Sequence, residues 1–359
     1  MNIQKPRAIC LTPVMRGVGG MVSFQGKLEE GLRARGYEVT HDLRARPCTA
    51  VLVIGGTRQI GRLYELKRHG VRIIQRLNGM NWLHRKLRTG VRHYIRSIYG
   101  NQLLALIRNR LADGIVYQSN FAREWWEKVY GRSHVDQAVI YNGVNLNTFS
   151  PNGTMVLPDD RVRILMVEGS LMGGYEIGLE SGAGLAIGLA ERNFNSHSHF
   201  YQKPIELMVV GRVTDPVRAY WSNWIASQLK DHRASIAWVG QVPNEQIPEI
   251  DRSAHLFYSA DLNAACPNSV IEAMACGTPV VAYDTGALPE LLAGEGGRIA
   301  PYGGDPWELD SPDTLSLVEA AYEVLVNNGA YRSSARARAV AAFDAEKMVE
   351  RYLNFLLDS

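Results

Sequence analysis

His255-Leu-Phe-Tyr-Ser-Ala-Asp-Leu-Asn-Ala-Ala-Cys-Pro-Asn268-Ser-Val-Ile-Glu272-Ala-Met-Ala-Cys-Gly277-Thr-Pro-Val-Val-Ala-Tyr283-Asp-Thr-Gly-Ala-Leu-Pro-Glu-Leu-Leu292 decides the reading of the whole chain. His255 to Tyr258 is a short apolar run of strand length. A polar loop follows, then helical spacing from Asn268 to Cys276. Gly277 stops that helix, and Val280 to Tyr283 forms a second apolar run. A loop from Asp284 to Leu288 opens another short helix. Strand, loop, helix, strand, loop, helix is the repeating unit of a parallel sheet. Ligands of such sheets lie beyond the carboxyl ends of the strands, against helix N-termini. Both loops lie at that edge.

Two readings of Glu272 follow from spacing. Ser269-Val-Ile-Glu272 fits a capping box, in which the Ser caps the helix and the Glu bonds back to it. Alternatively, a carboxylate beside free N–H groups accepts hydrogen bonds from a ribose while those N–H groups hold phosphate.

Working outward, the same alternation fills the chain. Apolar runs at Ala8 to Val14, Val51 to Ile54, Val71 to Leu77, the stretch after Asp113 and that after Ala138 read as strands. Helical spacing lies between them, as in Val22 to Arg35. Gly19-Gly20 sits in a glycine-rich turn after the first strand. It lacks the GxGxxG spacing of a dinucleotide fingerprint. It is either a plain tight turn or a backbone made for close approach by a phosphate or sugar. After a polar stretch from Pro151 to Asp160, strands recur at Arg163 to Val167, Glu206 to Val210 and Ser235 to Gly240. The expected fold is therefore α/β, with two doubly wound Rossmann-like domains facing across a cleft. The expected domains are residues 1–155, residues 160–342, and a C-terminal helix at 343–359 that crosses back to the first.

Composition agrees with a globular enzyme-sized protein. The 359 residues are 46% hydrophobic and 21% charged, and no apolar run approaches the length of a membrane span. No signal peptide is expected, and the location expected is cytoplasmic. Four scattered cysteines form no CxxC pair and no metal-type cluster, and Cys266 has no evident His and carboxylate partners for nucleophilic work. The net charge of +3 hides a split: residues 1–150 carry 24 basic and 9 acidic residues, residues 151–359 carry 15 and 27. Such asymmetry suggests separate partners for the two halves.

Trp82 to Arg110 concentrates the basic charge. Leu83, Leu87, Val91, Tyr94, Ile95 and Ile98 recur at helical spacing among Arg85, Lys86, Arg88, Arg92 and Arg96. One reading is a solvated helix whose apolar stripe packs on the sheet. The other is a peripheral contact with anionic membrane at its inner face. Nucleic acid fits less well, for want of a binding motif and of interleaved aromatics.

Glu272-Ala-Met-Ala-Cys-Gly-Thr-Pro-Val-Val-Ala, followed by Gly286-Ala-Leu-Pro-Glu290, resembles the donor-site signature of family 4 of the retaining glycosyltransferases, which have the GT-B fold. The Asn142-Gly turn and the Phe149-Ser-Pro exit resemble the end of that family's first domain. The resemblance implies transfer of a hexose, with retention, from a nucleotide diphosphate sugar (a UDP-sugar foremost) to a hydroxyl of a saccharide or lipid-linked saccharide. It implies Glu272 and Asn268 as catalytic-site residues, and Gly19, Gly20, Ser170, Gly173, Gly174, Arg212, Val242 and Ser269 around the donor. Arg76 and Asn78 would face the acceptor, where relatives often have a His or Asp. Arg212 reads equally as a phosphate ligand and as a plain surface residue. No DxD pair is present, so no metal and no other cofactor is expected. The chain departs from the family at three places. Ser170 and Tyr175 stand where an Arg and a Lys usually meet the diphosphate. Ala264 stands where a Glu usually meets the transferred sugar, and Asp261 is the nearest substitute. These departures keep two alternatives open: a nucleotide-sugar-binding protein without transferase activity, and a GT-B epimerase or hydrolase.

Overall fold

The computed structural model describes residues 8–17, 19–45, 48–88, 90–171, 177–192, 200, 202–229 and 233–357. The chain divides into two compact units, residues 1–143 with 343–359, and residues 144–342.

In the first unit the order is β1 (Ala8–Thr12), α1 (Gly20–Ala34), β2 (Glu38–Thr40), β3 (Ala50–Ile54), α2 (Ile60–Arg68), β4 (Arg72–Leu77), α3 (Val91–Arg110), β5 (Gly114–Tyr117), α4 (Asn120–Tyr130) and β6 (Asp136–Val139). The six strands are parallel, in the order β2-β1-β3-β4-β5-β6. The pleat explains their unbroken apolar runs. Ile9, Leu11, Leu52 and Ile54 face one core, while Cys10, Val51 and Val53 face a second on the opposite side. A parallel sheet covered on both faces needs apolar residues at every position.

The second unit follows with β7 (Val162–Ser170), α5 (Ile177–Glu191), β8 (Ile205–Arg212), α6 (Asp215–Gln228), β9 (Ala234–Gly240), α7 (Ile247–Arg252), β10 (Leu256–Tyr258), α8 (Asn268–Ala275), β11 (Val280–Tyr283), α9 (Leu288–Leu291), β12 (Gly297–Ala300), α10 (Thr314–Val326) and α11 (Asn328–Ala342). Its sheet runs β12-β11-β10-β7-β8-β9, again parallel. The chain winds outward from β7 through β8 to β9, then returns to the other side of β7 at β10. The switch point of this sheet therefore lies between β7 and β10. The expectation of two doubly wound α/β units is met.

Helix α12 (Ala345–Leu357) belongs to the first unit. Its Phe-Leu-Tyr-Val face closes the core over α1. The Tyr352 and Phe24 rings lie 5.1 Å apart, and a Cβ added at Gly31 would come within 2.5 Å of Val349 Cγ2. The second unit begins at Val144, ahead of the proline-rich stretch where composition alone sets the break. Two arginines explain the difference. Arg336 donates to the carbonyls of Leu146 and Phe149, and Arg252 to that of Ser150, so this extended segment is pinned to the second unit.

Candidate functional site

The carboxyl edge of the second sheet gathers most of the residues singled out from sequence. β10 ends at Tyr258, and its following loop leads to Pro267, the N-cap of α8. Proline supplies no side-chain acceptor, and no side-chain cap bond forms. The capping-box reading of Ser269 and Glu272 is thus corrected. Asn268 and Ser269 are the first two residues of the helix, and Glu272 is the fifth, one residue beyond the first turn. The N–H groups of that turn are the natural anion ligands of a helix start. Gly277 takes φ +75° and ends the segment, and Thr278 Oγ1 donates to the Asp251 carbonyl at 2.6 Å.

Asp251, on α7, was not anticipated. It is 1% exposed, and neither carboxylate oxygen has a hydrogen-bond partner among the described residues. Burial, and next the nearby Glu272 charge, push its carboxyl well above the ordinary range, against a smaller opposing effect of Arg252. Its signal in the sequence was a single acid just ahead of an apolar strand run.

Ser170 and Arg212 are brought together. They pair across β7 and β8 at the last residues of both strands, past an irregularity in the register, and both are exposed. The Arg212 guanidinium has no hydrogen-bond or ion-pair partner among the described residues. Val242 lies in the turn after β9, the strand beside β8, and is partly buried. Gly173, Gly174 and Tyr175 lie outside the described residues.

Beside Ser170, Glu168 occupies the same strand end. Burial, then the neighbouring Asp261 carboxylate, raise its carboxyl well above the usual range, and burial raises that of Asp261. Ala264 sits in the loop after Asp261, its carbonyl accepting the Ala287 N–H at 2.8 Å. A Cβ at Gly286 would stand 2.6 Å from the Ala264 nitrogen and oxygen, and φ there is +60°, so that position requires glycine twice over.

In the first unit, Gly19 is the N-cap of α1, with φ +127° and no contact that a Cβ would meet within 4 Å. Conformation, not crowding, demands glycine there. The first turn of α1 carries no acidic side chain, and Gly19 and Gly20 are both exposed. At the end of β4 the expectation for Arg76 is corrected. Arg76 is 1% exposed, donates to Asn78 Oδ1 and Asn142 Oδ1 at 2.8 Å each, and stacks 3.8 Å from the Phe24 ring centroid. Its guanidinium is held inside the unit by neutral amide oxygens and is not presented to solvent. Asn78 remains partly exposed, anchored by Trp126 Nε1 donating to its carbonyl at 2.7 Å.

Helix α3 departs from the packed-stripe reading. Its inward residues are Ser97, Asn101, Ala105, Ile107 and Arg108. Val91 is 77% and Ile95 61% exposed, with Tyr94 and Tyr99 also exposed. Arg85, Lys86, Arg88, Arg92 and Arg96 are exposed around them, and no Asp or Glu occurs between Glu65 and Asp113. No helix among the described residues is long and apolar enough to cross a membrane.

Comparison with known proteins fits this geometry. Residues 194–315 match the family described as Glycosyl transferases group 1. O-antigen chain mannosyltransferase B of Escherichia coli is 30% identical over 94 residues, 25% of this chain and 23% of that protein. The chain thus matches only about a quarter of that curated relative's length. Among solved structures, sucrose-phosphate synthase from Thermosynechococcus elongatus superposes with a TM-score of 0.69 at 16% identity, covering 97% of this chain and 98% of that one. Alr3699/HepE of Anabaena, in complex with UDP and glucose, gives 0.65 at 14% identity, covering 99% and 100%. The fold is that of the GT-B glycosyltransferases, and the residues matched to the group 1 family lie within the second unit.

Proposed function

We propose that this chain is a retaining glycosyltransferase of family 4 type. It moves a hexose from a nucleoside diphosphate sugar, a UDP-sugar foremost, to a hydroxyl of a saccharide or lipid-linked saccharide, without a metal ion. One observation carries the reading: an uncapped helix N-terminus at Asn268 with Glu272 one turn in, inside the matched group 1 domain and beyond the carboxyl end of its strand. The chemical task is to stabilise a diphosphate leaving group and a sugar cation. The first-turn N–H groups of α8 and the Arg212 guanidinium supply preorganised positive potential for the former. Glu272 accepts from the ribose hydroxyls, and the backbone around Val242 holds the base. The mannosyltransferase name of one relative and the UDP bound to a structural neighbour support this donor class.

The test is a thermal-shift panel of UDP, GDP, ADP and their common sugars, with and without magnesium. Saturating ligand at a hundredfold excess over its Kd stabilises the native state by about 2.7 kcal/mol. One nucleotide series should shift the melt, magnesium should not alter the shift, and Glu272→Ala should abolish it. Absence of any shift overturns the reading. Binding without sugar transfer to any acceptor leaves the nucleotide-sugar-binding alternative, and release of free sugar without acceptor leaves the hydrolase.

The face formed by Arg85 to Tyr99 is part of the same proposal, as the surface that meets an anionic membrane holding a lipid-linked acceptor. It combines exposed apolar side chains with five basic residues in a stretch of sequence without Asp or Glu, each cation near such a surface being worth about 1 kcal/mol. Vesicles containing anionic lipid should retain the protein at low salt. Replacing Arg85, Lys86, Arg88 and Arg92 by Gln should release it, and retention unchanged by those substitutions would sink the membrane role.

A further inference from the structure

The transferred sugar needs a partner that the familiar position does not supply, because residue 264 is alanine. The topology indicates where to look. The switch point between β7 and β10 is where doubly wound sheets seat their ligands. Leu256 is level with Ile164 and Phe257 with Leu165 across those two strands. Glu168, near the end of β7, and Asp261, three residues past the end of β10, therefore both stand at the mouth of the switch point.

Neither carboxylate has an ion-pair partner among the described residues. Both are partly exposed at the open edge of the sheet, where a ligand can reach them. Two further polar groups nearby are unsatisfied. Asn263, two residues past Asp261, is 4% exposed with its Nδ2 unpartnered, and Thr285, in the loop after the adjacent β11, is 2% exposed with its Oγ1 unpartnered. Asn263 is also held at φ +54°, an uncommon conformation for a residue other than glycine. The scaffold beneath is rigid. Gly178 of α5 meets Ala260 so closely that an added Cβ would lie 2.3 Å from the Ala260 Cβ.

We propose that Glu168 and Asp261 read the hydroxyls of the transferred sugar, in place of the carboxylate absent at residue 264, with Asn263 as a third contact. The chemistry suits a polyol. Two neighbouring carboxyls that share one proton offer a donor and several acceptors, and a sugar ring presents hydroxyls that both donate and accept. This inference rests on the transferase reading, and it assigns specificity rather than nucleotide affinity to the pair.

Calorimetric titration of the wild type, Glu168→Gln and Asp261→Asn with UDP, UDP-glucose and UDP-galactose tests it, with GDP and GDP-mannose as the second series. The wild type should bind a sugar nucleotide more tightly than the bare nucleotide and should discriminate between sugars. In each variant the nucleotide affinity should stay within about twofold, while the margin contributed by the sugar should fall tenfold or more. A margin unchanged in both variants, or a wild type that binds UDP-sugar no better than UDP, overturns the assignment of the pair and leaves the transferase reading standing. Loss of bare-nucleotide binding together with loss of a cooperative melt would make the pair structural and overturn it too. A wild type that binds no nucleotide of either series brings down the transferase reading itself.

Discussion

Asp251 shows how much a single side chain can depart from what its neighbourhood in sequence suggests. It is an acid ahead of a strand, and the fold closes over it without a hydrogen-bond partner for its carboxylate among the described residues. Its folded carboxyl titrates above its ordinary range, whereas in the unfolded chain it titrates near pH 3.9. Below about pH 4 both states are protonated and the residue costs nothing in ionisation. As pH rises, the unfolded chain loses this proton first, so the folded state is increasingly disfavoured, and the penalty levels off only once its own raised pKa is passed. Asp251→Asn removes that dependence. The variant should gain stability over the wild type at neutral pH, by about 1.4 kcal/mol for each pH unit by which folding raises the carboxyl, and little near pH 4. Urea denaturation at several pH values measures it, and a difference that does not change with pH would refute the account. Arg76 makes the converse point. A charged residue at a strand's carboxyl end looks like a ligand contact, yet its two terminal nitrogens bond to Asn oxygens and its plane lies over the face of Phe24 inside the unit.

At the scale of elements, the helices depart furthest from their sequence patterns. The period of α3 is helical, but a period reports only that one stripe is apolar, not what covers it. Val91 and Ile95 meet solvent, while polar Ser97 and Asn101 turn inward, with Asn101 bonded to the backbone of Asn81 on both its amide atoms. Helix α8 begins one residue before the serine that a capping motif selects. Helix α5 shows packing deciding a residue type. Its Gly178 and Gly182 lie against Ala260 and the Tyr258 ring. Gly178→Ala would gain helix propensity of about 1 kcal/mol, but the new Cβ has no room, and overpacking of this kind costs about 1–3 kcal/mol. We expect net destabilisation in chemical denaturation. An equally stable variant would mean that α5 can slide along the sheet.

For the molecule as a whole, the chain leaves the first unit after Gly143 and returns to it at Phe343. The last helix is therefore a structural part of a unit whose other residues lie two hundred positions earlier in the numbering. Removing residues 343–359 would uncover Phe24, Leu28 and Leu32, which with Tyr352 and Val349 form one core. The truncated protein should lose the melting transition of the first unit and expose apolar surface to a hydrophobic dye. It should keep the nucleotide-dependent shift of the second unit. Retention of both transitions would show that α12 is dispensable to the core.

The parallel α/β class, the strands near 51–54, 71–77 and 280–283, and the helix that presents Glu272 were all legible from residue order. Apolar runs of strand length and glycine stops are local properties, and a parallel sheet buried on both faces writes them plainly. The candidate donor helix was legible for the same reason, since its ends are marked by Pro267 and Gly277. What covers each face was decided only by tertiary structure. Burial of Arg76 and Asp251, exposure of Val91 and Ile95, and the placing of Glu168 and Asp261 at one edge of the sheet depend on which elements become neighbours. The order β10-β7-β8 joins residues about ninety positions apart, and no local periodicity carries that information.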